Sequence, residues 1–145
     1  MWIVDGIIAG LIAGIVMGVF SQLGYWLGII RSHLVVIDGS FLLQTINREA
    51  GMTATYTAGI TIHLVTSIVF GIVYVVIARV AEFNYRSAVP VAVYVFILWL
   101  AMLAVALPVA GQGFMGKRIR GPVWLEQLGL HVLFGVSFWW ALGIS

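Results

Sequence analysis

The chain has no cysteine, and its 145 residues include only 7 Lys plus Arg and 5 Asp plus Glu. Without cysteine there are no disulfides, thiolate metal sites, iron–sulfur clusters or cysteine nucleophile. Charged residues make up 8% of the chain, where a soluble domain carries about 25%. So few charges cannot cover a water-facing surface. The net charge of +2 and the pI near 9.3 reflect this scarcity rather than a basic patch, and no nucleic-acid footprint is present. What fills the chain instead is apolar: 63% of residues, with a mean hydropathy of +1.15.

The few charges leave four long charge-free windows, Gly6 to Ile30, Ala50 to Ala78, Ser87 to Gly116 and Gln127 to Ser145. Each is near or above the roughly 20 residues a helix needs to cross a bilayer. Hydrocarbon forces backbone groups to be satisfied within the segment, and the windows lack the alternation of a membrane barrel. The expectation is an all-α, integral membrane bundle of four transmembrane helices in one domain, at about 3–30, 56–80, 88–111 and 122–143. The first window has neither a basic leader nor an A-x-A site, so it is expected to stay as a span. Arg31, Arg48, Lys117, Arg118 and Arg120 against Arg79 and Arg86 favour first and third connections inside and both termini outside, as in a prokaryotic cytoplasmic membrane. Trp2, Trp139 and Trp140 would mark one interface, and Tyr25, Trp26, Tyr56 and Trp124 the other.

Local signals refine the spans. Pro90 and Pro122 suit first helical turns, while Pro108 lies inside the third helix and should kink it. After an Asp38-Gly39 turn, Ser40 to Glu49 reads as a short interfacial helix. Gly6, Gly10, Gly14 and Gly18 form three overlapping GxxxG copies, a flat ridge for close packing. It serves either the interior of this bundle, or a homo-oligomer or partner membrane subunit. Gly111 to Lys117 spells GxGxxG and most of a P-loop, but no βαβ unit surrounds it, so no nucleotide is expected. Lys117, Arg118 and Arg120 are read as facing headgroups.

Ionisable groups within a membrane are costly and point to function. His63 and His131 fall on the second and fourth helices, roughly 10 and 13 Å from the same face, on diagonal neighbours if the four helices form one closed bundle. A bis-histidine haem b needs this pairing, its iron between two imidazoles. Small residues flank both: Gly59, Ser67 and Gly71 around His63, Gly135 after His131. The constellation resembles transmembrane cytochrome b, which would imply one haem, with propionates near Lys117, Arg118 and Arg120. The alternative is a polar layer of Gln22, Glu126, Gln127 and the two histidines. That layer would hold the helices in register, with Gln22 as the partner of His63, or pass protons or ions. His33, in the first connection, is expected to be solvated.

The patterns His-Leu-x5-Phe-Gly-x2-Tyr at His63 to Tyr74 and Glu-x4-His at Glu126 to His131 resemble the YagU-like inner-membrane proteins. That resemblance implies membrane location and carries no activity. No catalytic set is present, so the chain is not expected to be an enzyme on its own. Its size and glycine ridge suit an accessory subunit of a membrane assembly, redox-linked through haem; the alternatives are a proton or ion transporter subunit and a purely structural one.

Overall fold

In a computed structural model of the chain, the described residues are 1–46, 51–119 and 121–144. Arg120 and the end of the expected interfacial segment, 47–49, lie outside them. Five helices carry the fold: α1 (Trp2–Trp26), α2 (Leu34–Thr45), α3 (Met52–Val80), α4 (Ala88–Val109) and α5 (Val123–Ile144). All but α2 are long and apolar enough to span a membrane. Ile15, Phe20, Val65, Phe96 and Val132 are exposed on the outer faces, where a bilayer supplies the apolar surroundings that water would not.

Helix boundaries follow local chemistry. α1 stops at Trp26, short of the expected 30, because Gly28 takes φ +71° and the Gly24 carbonyl collects the N–H groups of Ile29 and Ile30. α2 begins at Leu34 rather than near 40. Asp38-Gly39 is therefore helical and not a turn, since His33 caps the helix one turn earlier and Gly39 lies against the Thr55 carbonyl. In α4 the irregularity precedes Pro108: Met102–Ala106 forms a π-helical turn in which Leu107 N–H bonds five residues back to Met102. After α4, Gly111, Gly113 and Gly116 all take φ between +72° and +77°. The nucleotide-like spelling is thus a chain reversal that only glycine enters freely.

The four spanning helices form a ring with one loose seam. α1 lies between α3 and α5, and α4 packs on α5, but α3 and α4 barely approach each other. The ridge on α1 is turned inward. A Cβ at Gly6 would lie 2.6 Å from the Gly71 carbonyl oxygen, one at Gly10 would meet the Ser67 carbonyl, and one at Gly14 would meet the Ser67 side chain. At the end holding both termini, Asp5 accepts from the Tyr85 hydroxyl (2.9 Å) and pairs with Arg86 (3.6 Å), while Arg79 stacks on Trp2. There the seam is bridged by Tyr94, which donates to the Phe70 carbonyl (2.9 Å) and lies against Tyr74. Toward the other end, α2 runs along α3 and reaches α4, holding the two apart.

Candidate functional site

The site starts with the capping of α2. His33 Nδ1 accepts from Val36 N–H (3.4 Å), which requires its proton on Nε2; that N–H donates to the Tyr56 hydroxyl (2.6 Å). Tyr25 covers the ring at 4.1 Å between centroids. Burial lowers the pKa of His33 from its ordinary 6.5. His33, expected to be solvated, is thus a structural cap. Below it, the absence of side chains at Gly39 and Gly59 lets α2 and α3 touch backbone to backbone, at the Thr55 and Val35 carbonyls. That contact brings Asp38 to His63.

His63 uses both ring nitrogens. Nδ1 lies 2.9 Å from Asp38 Oδ2 and Nε2 lies 3.0 Å from the Gly14 carbonyl oxygen of α1. A carbonyl only accepts, so Nε2 carries hydrogen in every state. The pair then shares one further proton: on Nδ1 as imidazolium and carboxylate, or on Asp38 as neutral imidazole and acid. Both forms are net neutral, which suits a site held in hydrocarbon. Asp38 is the partner that sequence reasoning missed; its signal was an isolated carboxylate within the apolar stretch Leu34 to Ile46. Gln22, the expected partner, is half-buried on α1, and among the described residues it makes no hydrogen bond to His63.

The pair borders a cavity of about 260 Å³ within the loose seam. Met17, Phe70, Leu98, Met102 and Phe134 supply apolar wall, and Asp38, His63, Thr66, Ser67 and His131 the polar groups. Its size falls just below the usual ligand-pocket range of about 300–1,000 Å³. His131 Nδ1 donates to the Gln127 carbonyl (2.8 Å), leaving the lone pair on Nε2. Among the described residues that Nε2 has no hydrogen-bond partner. The ring also reaches a second groove, between α4 and α5.

The remaining expected site residues fall into other roles. Glu126 Oε2 accepts from Arg31 N–H (3.1 Å), Ser32 N–H (2.9 Å) and the Ser32 hydroxyl (2.8 Å). Gln127 Nε2 donates to Ser32 Oγ (3.1 Å), and its buried Oε1 has no partner among the described residues. The side chains of these two residues anchor the loop before α2, and only the Gln127 backbone carbonyl meets a histidine, His131. Arg118 closes its own loop by donating to the Gly111 carbonyl (2.9 Å), and Lys117 is exposed.

The residues as placed do not fit a bis-imidazole haem. His131 offers a lone pair, but both nitrogens of His63 are engaged. Nor do the glycines leave a slot for a flat ring: Gly6 and Gly71 meet each other, Gly59 meets Val35, and a Cβ at Gly135 would lie 3.3 Å from Val95. Both histidines face one cavity, with the acid–base pair on one wall and the unpaired Nε2 of His131 on another. No family model, curated protein or solved structure matches the chain.

Proposed function

We propose that the protein is a proton-handling subunit of a membrane transport system, with Asp38 and His63 as its proton-binding site. The observation that carries this reading is the pair itself: one transferable proton, 2.9 Å between the atoms that share it, beside a cavity with largely apolar walls. An intramembrane carboxylate and histidine are costly to keep. A pair needed only for packing has no use for an opening beside it.

The test is proton entry into proteoliposomes containing a pH dye, driven by a potassium diffusion potential. Wild type is expected to admit protons faster than protein-free vesicles, and Asp38→Asn to fall to the protein-free rate. Equal rates for wild type and empty vesicles overturn the reading. An absorption spectrum of the purified protein separates this role from redox chemistry. No Soret band is expected after haem-supplemented growth, and one that disappears in His131→Ala would restore the electron-transfer subunit.

A further inference from the structure

The free polar atoms around the cavity specify the ligand that fits. Asp38 uses one carboxylate oxygen on His63, and its side chain remains 19% exposed. Among the described residues its other oxygen has no partner. His131 presents the Nε2 lone pair. Both N–H groups of the protonated His63 are spent, on Asp38 and on the Gly14 carbonyl, and the Ser67 hydroxyl is spent on the His63 carbonyl (2.8 Å). Thr66 can donate or accept through its hydroxyl; otherwise the wall offers acceptors only. A quinone or a carboxylate brings more acceptors and leaves them unpaired, a costly arrangement in an apolar site. A ligand with several N–H donors meets the opposite situation.

We infer that the cavity takes a lipophilic ammonium ion, a protonated amine on an apolar body, in exchange for the proton shared by Asp38 and His63. This rests on the proton-handling reading and names the second species moved; with no amine present the pair still gains and loses its own proton, which is the flux the vesicle assay reads. The exchange balances. The ligand arrives as R–NH3⁺ and meets the Asp38 carboxylate and His63 imidazolium. His63 releases the Nδ1 proton to solvent, and the ammonium becomes the counter-ion of Asp38. Neutral His63 keeps its Nε2–H on Gly14 and gains a lone pair at Nδ1. Three acceptors, the Asp38 carboxylate, His63 Nδ1 and His131 Nε2, then stand ready for the three N–H donors of an ammonium group. The remainder of the wall is apolar and suits a compact hydrocarbon body. Among the described residues no other titratable group borders the cavity: α1 and α4 contribute none, and Glu126 on α5 is held by Ser32. With only one compensating carboxylate present, amine and proton cannot both stay, because a second buried positive charge would be unpaired.

The experiment uses the full chain in detergent, with aminoadamantane as probe and adamantane carboxylate as control. Calorimetry in buffers of different ionisation enthalpy reads binding and proton release together. The amine is expected to bind with release of one proton, its affinity rising about tenfold per pH unit while the pair holds its proton; the carboxylate is expected not to bind at this site. Asp38→Asn should abolish binding. Ala101→Phe, which adds bulk to the cavity wall from an exposed position on α4 rather than from the pair itself, should do the same with an unchanged melting temperature. Absence of amine binding, binding without proton release, or binding that survives Ala101→Phe overturns the inference. Vesicle proton entry that depends on Asp38 would leave the proton-handling reading standing in each of those cases. Proton-releasing amine binding with no vesicle flux would overturn that reading instead and leave the exchange site intact.

Discussion

His33 shows how a single residue can make the packing of this protein depend on pH. Its cap needs a lone pair at Nδ1, and protonation replaces that lone pair with a hydrogen. The folded state therefore favours neutral His33, in keeping with a pKa lowered by burial. The sign follows: stability from this group is complete above 6.5, the ordinary value, and declines as pH falls through the lower folded value. Thermal melts in detergent should show a drop on acidification that shrinks in His33→Asn, since asparagine supplies a capping oxygen that does not titrate. Equal acid sensitivity in the two proteins would remove His33 as the cause. Sequence reasoning could not reach this role, because the cap depends on Tyr25 and Tyr56 arriving from two other helices. Asp38 was hidden for a related reason. Asp-Gly is a strong local turn signal, and only tertiary contact with α3 makes that dipeptide helical.

At the scale of elements, the spanning helices were legible because lipid imposes one requirement everywhere: long charge-free segments that satisfy their own backbone. Glycine spacing was legible as a ridge, but its partner was not, since periodicity on α1 says nothing about which surface it meets. The structure assigns that surface to α3, which makes the ridge testable residue by residue. Gly10→Val and Gly71→Val each drive side-chain carbon into an opposing carbonyl, and backbone cannot yield as a flexible side chain does. Each should destabilise the protein by about 1–3 kcal/mol, the usual scale for overpacking, as read from melting in detergent. Gly129→Ala and Gly143→Ala serve as controls, because a Cβ at either position meets nothing within 4 Å. Equal losses in all four variants would mean that helix α1 does not rely on the close approach. The π-helical turn at Met102–Ala106 is a second element-level feature with a site nearby. Met102, Val105 and Ala106 line the cavity, consistent with the frequent occurrence of such turns beside functional sites.

For the whole molecule, the connectivity of four spans suggested a closed ring in which consecutive helices pack side by side. Three of the four contacts exist, and the α3–α4 contact is interrupted because α2 occupies that space at one end. A short apolar helix thus does two things: it delivers Asp38 and it keeps the seam apart, so the acid–base pair and the cavity have a common cause. The lack of native cysteine makes that arrangement directly measurable, since any introduced thiol is the only one present. Ala101 lines the seam cavity, whereas Ala13 is fully buried on α1. A thiol at Ala13→Cys can react only through local opening of packed helices, so Ala101→Cys should be labelled by a small thiol reagent at least about tenfold faster. A pre-bound aminoadamantane should slow labelling at Ala101→Cys and leave the Ala13→Cys rate unchanged. Equal rates at the two positions in the ligand-free protein would mean that α3 and α4 close against each other, and the acid–base pair would then face no cavity.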